Sequence, residues 1–519
     1  MTSVIDMGSA LAQILARGED AAAIQDQARQ VGGCEQPIRL RGRIDTLDRQ
    51  TGELSLLWSS EAMPDGVVHT RCNNRRASRC EPCSRLYQGD AWQLIVAGLT
   101  GGKGVPDTIR EHPKLFVTLT APSFGPVHTR ATDSNGKVAP CRARRNEAGE
   151  ICEHGRPVTC TSRHGEDDPE LGRPLCVDCW DYAGAVLWNA HASELWRRTR
   201  IRVYRELAAL VGISERALKR QVSVQYVKVA EYQKRGLVHF HLLIRLDASR
   251  SQREEPCEPP PEHYTAELLA QAVRNAVTHV EVPYPDHLFL SAGQGPQAFP
   301  QGKWRQPPLT RADPTTLGTG DPGTGALTQQ ARRLPDVSLT AEVACARWGC
   351  RLDVREVQAE ERHKIAGYLA KYATKHTECV GGLDRPVKVQ DLDVLPVSEH
   401  VRRLVLVAWR LALRDSTLRT DRWAHQFGYG GHFLTKSRHY STTFTALRIA
   451  RAQWAASQRP PSREVEGEVL VKRWEVAGFG WRMSGDALLA RTVREQARAQ
   501  REAAREARAE LNEVLALAG

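Results

Sequence analysis

One stretch limits what this chain can fold into more than any other: residues 231–246, EYQKRGLVHFHLLIRL. An extended run ends near Tyr232, Lys234-Arg235-Gly236 supply a tight turn, and a second run begins at Leu237. The pattern reads as an antiparallel hairpin. Side chains alternate between the two faces of a strand. Phe240, Leu242 and Ile244 therefore line one face and suit burial, while His239 and His241 share the other. Two imidazoles on one face of a rigid strand form a pair of ligands for a divalent cation. The turn brings Glu231 opposite Val238 or His239, which adds a carboxylate. The plainer alternative is two half-exposed histidines on an amphipathic strand.

A second stretch, residues 361–377 (ERHKIAGYLAKYATKHT), has helical spacing. Tyr368 and Tyr372 stand four apart, as do Lys371 and Lys375. At about 100° per residue all four fall within roughly 100° of arc. Ala366, Leu369, Ala370 and Ala373 occupy the other side as a packing face. Read alone, the four polar residues are equally well surface tyrosines interleaved with solvated lysines.

The 13 cysteines of the 519-residue chain are more in keeping with metal ligands than with disulfides. Cys80-Glu-Pro-Cys83 is a C-x-x-C knuckle, with Cys72 and Cys34 as the cysteines that complete a tetrahedral four-thiolate zinc site. Cys176-Val-Asp-Cys179 is a second knuckle, within an insertion at 125–180. Its expected partners are Cys152 and Cys160, with Cys141, His154 and His164 as substitutes. A polar, loop-rich insertion of this kind takes its folding energy from the metal, so Zn2+ is expected in a structural role. Arg75, Arg76, Arg79 and Arg85 surround the first knuckle and either contact phosphate or are solvated.

Net charge is +11 and the pI about 9.1, a balance that favours a polyanionic partner. No apolar run approaches the ~18 residues of a membrane span, and the N-terminus lacks a charged-then-apolar leader. A cytoplasmic protein without membrane contact is expected. GGKGVPDT at 101–108 lacks the spacing of a nucleotide-binding P-loop, so no ATPase is read here.

The segments fall in order as an N-terminal region with a zinc module (1–110) and a first core part with the cysteine insertion (111–246). A Pro/Gly-rich insertion (247–340), a core completion with the tyrosine helix (341–395) and a helical C-terminal region (396–519) follow. Residues 180–210 read as one helix, on which Trp188, Trp196 and Tyr204 either pack a core or stack on bases. In the stretch from Gly428 to Tyr440, glycines allow close backbone approach, and Lys436 and Arg438 are candidate DNA contacts. A tight structural turn with a basic flank is the other reading.

Together, H-F-H at 239–241 and Y-L-A-K-Y-A-T-K at 368–375 resemble the His-hydrophobic-His ("HUH") endonucleases of rolling-circle replication, in their paired-tyrosine form. LFVTLT at 115–120 stands where that family places a strand ending in threonines. Most of the chain resembles more closely the RepSA-like replication initiators of actinomycete integrative plasmids. The stretches that carry this are GGCEQPIRLRG (32–42), NRRASRCEPCSRLYQ (74–88), LCVDCWDYAGAVLWNAH (175–191) and GYGGHFLTKSRHYSTTFTALR (428–448).

The resemblance implies an α+β fold: an HUH core of antiparallel sheet with packed helices, zinc-binding insertions and a helical C-terminal region. It implies a catalytic Mg2+ or Mn2+ on His239, His241 and Glu231. Tyr372 or Tyr368 would be the nucleophile, assisted by Lys371 and Lys375. The product would be a 5′-phosphotyrosine and a 3′-hydroxyl primer at a plasmid origin, with a host helicase and DNA polymerase as partners. A conjugative relaxase, a single-strand transposase or a non-enzymatic zinc-dependent DNA-binding regulator are the alternatives.

Overall fold

The computed structural model describes residues 6–133, 135–142, 151–249, 257–288, 344–375, 377–383, 385–458 and 468–518. Most of the Pro/Gly-rich segment therefore lies outside the described residues. The fold is mixed α+β, with antiparallel sheets. Its internal contacts define two compact units, each woven from separate stretches of chain: Met1–Gly98 with His363–Thr374 and Ser441–Gly519, and Leu99–Arg362 with Lys375–Tyr440. The C-terminal region read from the sequence thus divides at Tyr440.

The first unit is built on a sheet in which the strand Ile38–Asp48 pairs with Leu54–Ser59, Val68–Thr70 and Glu468–Phe479. The last of these strands departs from the helical C-terminal region expected over 396–519, in which the helix Phe444–Ser457 does fall. Two N-terminal helices, Met7–Ala16 and Asp20–Gln30, pack on the long terminal helix Ser484–Ala518. Arg17 holds that join, with Nη2 at 2.8 Å from both Asp65 and Asp486. The helix Glu81–Thr100 begins at the first cysteine knuckle.

The second unit carries a five-stranded antiparallel sheet: Leu352–Glu356, Lys114–Leu119, Val238–Ala248, Val222–Tyr232 and Leu434–Lys436, in that spatial order. Val238–Ala248 is central, and its apolar face disappears into the core: Phe240, Leu242 and Leu246 are fully buried and Ile244 nearly so. The 30-residue helix Tyr182–Val211 lies in this core, capped by Gly212 in the left-handed region. Trp188 and Trp196 on it are buried, and Trp188 donates to the Arg347 carbonyl at 2.8 Å. These aromatics pack the core. The hydroxyl of Tyr204 accepts from the Val224 amide at 2.8 Å and caps the sheet edge in the same way.

One buried amide ties helix to hairpin. Asn189 donates through Nδ2 to the carbonyls of Gly236 and Phe427, both at 3.0 Å, and its Oδ1 accepts from the Val238 amide at 3.1 Å. A second buried group anchors the sheet at its far end. Arg245 makes a two-pronged pair with Asp247 (2.6 and 2.9 Å), and His112 Nδ1 lies 2.8 Å from the same carboxylate. All three are nearly inaccessible, so each charge is matched where water cannot solvate it.

Candidate functional site

The hairpin forms because Gly236, at φ +81°, supplies the left-handed residue its turn needs. The Gly236 amide donates to the Gln233 carbonyl at 2.9 Å, and the Gln233 amide to Leu237 at 2.8 Å. The register that follows pairs Glu231 with His239, Val229 with His241 and Tyr232 with Val238. Glu231 thus sits on the face of the two histidines. Its Oε2 lies 2.9 Å from His239 Nε2 and 3.3 Å from His241 Nε2. The three ligand atoms lie within 4.8 Å of one another.

Neighbouring strands orient this triad. Thr118 on Lys114–Leu119 stands directly beside His241 in register, with Oγ1 3.2 Å from Nδ1. That contact leaves Nε2 as the nitrogen turned towards Glu231, the arrangement in which an outer partner orients a ligating imidazole. The Phe116 ring stacks against His241 with centroids 5.9 Å apart. Lys375 places Nζ 3.1 Å from Glu231 Oε1. Burial raises the cost of ionising Glu231, but the two histidines and Lys375 outweigh it and hold its carboxyl down at about 2. Burial also lowers the His241 pKa, so its imidazole stays neutral at physiological pH, as a ligand must be. One carboxylate and two imidazoles are a fitting donor set for a divalent ion.

The helix Arg362–Tyr372 carries both tyrosines in the first unit. Tyr368 is exposed, Tyr372 half-buried, and their rings meet edge-on with centroids 4.5 Å apart. Ala366, Leu369, Ala370 and Ala373 are buried, as the spacing predicts. Lys371 extends along the Tyr372 ring, its Nζ 6.0 Å from the centroid. Lys375 does not continue the helical face expected of it. The helix ends at Tyr372, where Thr374 turns its hydroxyl to the Lys371 carbonyl at 2.7 Å, a local bond that competes with the helix ladder. Arg75 fixes this helix end by donating to the Ala373 carbonyl at 3.2 Å. That arginine therefore has a backbone partner as well as its charge.

Cys34, Cys72, Cys80 and Cys83 come together as one cluster in the first unit. The Cys34 sulfur lies 3.7 Å from Cys80 and 3.6 Å from Cys83. A disulfide would need about 2.05 Å, whereas about 3.8 Å is the edge of a tetrahedron of sulfurs on zinc. Trp481 covers the cluster, donating to the Cys34 carbonyl at 2.9 Å.

The second set is not brought together as the spacing suggests. Cys152, Cys176 and Cys179 gather with His154, while Cys160 lies with His128, Cys141 and His164. The reason is a backbone bridge: Arg142 and Cys160 exchange both amide bonds, at 2.8 and 3.0 Å, which draws Cys160 away towards Cys141.

At the glycine-rich stretch, a Cβ on Gly430 would come within 2.6 Å of Trp423 Nε1, and one on Gly431 within 2.4 Å of Ser193 Oγ. Close packing accounts for these glycines. Lys436 is half-buried and donates to the carbonyls of Ser437 (3.2 Å) and Arg438 (3.3 Å), while Arg438 is exposed. Sequence reasoning reaches Arg75 only as a phosphate contact or a solvated charge, and Thr118 only as part of the 115–120 strand; it does not single out Asn189 or His128 as site residues.

The chain matches the family model described as "RepSA: Replication initiator protein, pSAM2" over residues 20–298 and 293–495. It is 38% identical over 511 residues to a curated protein named "Replication initiator protein" from Streptomyces ambofaciens, covering 95% of this chain and 94% of that one. No solved structure matches the chain. The chain belongs to the RepSA family of replication initiators. Among the described residues no helix is long and apolar enough to cross a membrane.

Proposed function

We propose that this initiator opens plasmid replication by nicking one strand of the origin through a tyrosine, as HUH endonucleases do. The observation that carries the reading is the Glu231–His239–His241 triad, oriented by Thr118. Glu231 Oε2 and the Nε2 atoms of both histidines are the atoms to hold Mg2+ or Mn2+, which when bound neutralises charge on a scissile phosphate oxygen.

The tyrosine hydroxyl of Tyr372 or Tyr368 attacks the phosphorus and forms the new O–P bond. The 3′-oxygen of the neighbouring nucleotide leaves as that bond forms, giving a 5′-phosphotyrosine and a 3′-hydroxyl for a host polymerase to extend. Lys371 and Lys375 steady the phosphate and ease loss of the tyrosine proton. Lys375 pairs with Glu231, so its charge also stands beside the metal-binding carboxylate. The second tyrosine serves a later strand transfer at termination. The Cys34–Cys72–Cys80–Cys83 cluster holds structural Zn2+. Lys436 and Arg438 contribute to DNA contacts, and unwinding falls to a host helicase.

The test is incubation with single-stranded origin DNA and Mn2+. A covalent protein–DNA adduct on Tyr368 or Tyr372 supports the reading. Launch of replication without any adduct would leave only the initiator role.

A further inference from the structure

The insertion that separates the strand Lys114–Leu119 from the helix Tyr182–Val211 holds two ligand sets. In one, the candidate atoms of His128, Cys141, Cys160 and His164 all lie within 4.8 Å of one another; in the other, those of Cys152, His154, Cys176 and Cys179 do so. Along the chain the sets alternate in pairs. His128 and Cys141 belong to the first, Cys152 and His154 to the second, Cys160 and His164 to the first, Cys176 and Cys179 to the second. The backbone enforces this weave. Cys141 donates its amide to Ser162 at 2.9 Å, beside the Arg142–Cys160 bridge, and His128 and Gly172–Arg173 bond to each other at 2.9 Å. Cys152 closes its own small loop, its amide donating to Arg156 at 2.8 Å around Gly155 at φ +71°.

The distances are those of ligands sharing a metal. Tetrahedral zinc with bonds near 2.3 Å to sulfur and about 2.0 Å to nitrogen separates a sulfur from a nitrogen by about 3.5 Å and two nitrogens by about 3.3 Å. His128 Nδ1 and His164 Nε2 are 3.1 Å apart, Cys160 Sγ and His164 Nε2 3.6 Å, and His154 Nδ1 and Cys179 Sγ 3.2 Å. His164 is oriented from behind: its Nδ1 lies 2.7 Å from Asp168 Oδ2, a carboxylate–histidine pairing typical of zinc ligands. The Thr129 amide donates to Cys141 Sγ at 3.1 Å, as befits a thiolate.

The insertion has little apolar core of its own among its described residues. Among the described residues between Pro126 and Cys179, no valine, leucine or isoleucine is buried. The buried side chains there include Cys141, His164 and Cys176, which are ligands themselves.

We propose that this insertion folds around two interleaved zinc ions, one on His128, Cys141, Cys160 and His164 and one on Cys152, His154, Cys176 and Cys179. With the four-cysteine cluster, the chain then carries three structural zinc ions. The module has a mechanical role within its own unit. Lys234, in the turn of the histidine hairpin, donates to the Glu166 carbonyl at 2.7 Å. Gly172 packs so closely on Lys234 that a Cβ there would meet its backbone at 2.4 Å. Asp178, between the last two ligands, accepts from Arg403 at 2.7 Å. The zinc-bound loops therefore brace the turn that sets the register of Glu231 and His239.

The test is elemental analysis of the full chain after mild chelation and exchange into excess Mg2+, together with zinc X-ray absorption. Three zinc ions per chain are expected, with nine sulfurs and three imidazole nitrogens among them, a mean of three sulfurs and one nitrogen. Cys141→Ser with His164→Ala should remove one zinc, and Cys176→Ser with Cys179→Ser another. Two zinc ions per chain, a wild-type mean of four sulfurs and no nitrogen, or His128→Ala/His164→Ala protein that keeps three, overturns the proposal. The absorption measurement uses wild-type protein, so it decides even where variants do not fold. Neither readout depends on strand cleavage, and failure of the nicking reading leaves it untouched.

Discussion

Glu231 and His239 are directly opposed cross-strand partners, and the carboxylate of one stands 2.9 Å from the imidazole of the other. Removing Glu231 takes away the group that pairs with Lys375 and, in the proposed mechanism, a metal ligand. Glu231→Ala and His239→Ala should each slow nicking by on the order of 100-fold or more, with duplex-origin binding nearly unchanged. Binding carried by phosphate contacts should weaken with added salt. Nicking by His239→Ala at the wild-type rate with Mg2+ would show that the hairpin is not the metal site.

In the proposed mechanism Thr118 would act on the metal through His241, whose Nδ1 it touches. Thr118→Val keeps the shape of the side chain and removes the 3.2 Å contact to Nδ1. The Mn2+ concentration giving half-maximal nicking should rise by about 10- to 100-fold, while the rate at saturating metal falls less. An unchanged metal requirement would reduce Thr118 to a sheet residue.

The tyrosines share a helix face but stand about 6 Å apart along its axis, more than in-line attack tolerates. Tyr368→Phe and Tyr372→Phe should therefore reduce the initial nick unequally, and the double variant should form no adduct. Mass spectrometry of the adduct peptide decides which tyrosine attacks first. An adduct that persists in the double variant would move the nucleophile elsewhere.

The Arg245–Asp247 pair makes a stability prediction. Burial opposes ionisation of Asp247, but His112 and Arg245 overcome it and hold its carboxyl at about 2. An unfolded aspartate titrates near 3.9, so the pair's contribution is full above about pH 4 and is lost as pH falls through about 2. Asp247→Ala should destabilise the second unit by about 3–5 kcal/mol, since it leaves a buried guanidinium unmatched. Urea midpoints measured against pH should show the acid-dependent loss in the wild type. The paired replacement Arg245→Met/Asp247→Leu should show a smaller loss, with Glu231, also held at about 2, still contributing.

The hairpin was legible because its signals are local: Gly236 fixes the turn, and alternation from Val238 to Ile244 fixes the faces. The helix Tyr182–Val211 was legible for the same reason. Cys160 was misassigned because its partner is chosen by a bridge to Arg142, a pairing that no spacing rule contains. Lys375 left the tyrosine face because Thr374 closes the helix with its own hydroxyl, a competition that periodicity does not register. His128 stood too far before the knuckle to be grouped with it. The strand Glu468–Phe479 finds its partner more than 400 residues earlier, in Ile38–Asp48, so nothing near it in the chain announced a sheet.

Asn189 has a consequence out of proportion to its size. A strand that slips by one residue turns every side chain to the opposite face. In the histidine hairpin that error would press both imidazoles into the apolar core and expose Phe240 to water. Asn189 bonds the Gly236 carbonyl and the Val238 amide, two atoms on one edge of the chain that a one-residue slip would turn to the other edge. Aspartate lacks the donors and glutamine is a methylene too long. The amide thus favours the alignment in which the histidines share a face with Glu231 over the one-residue slip that would bury them.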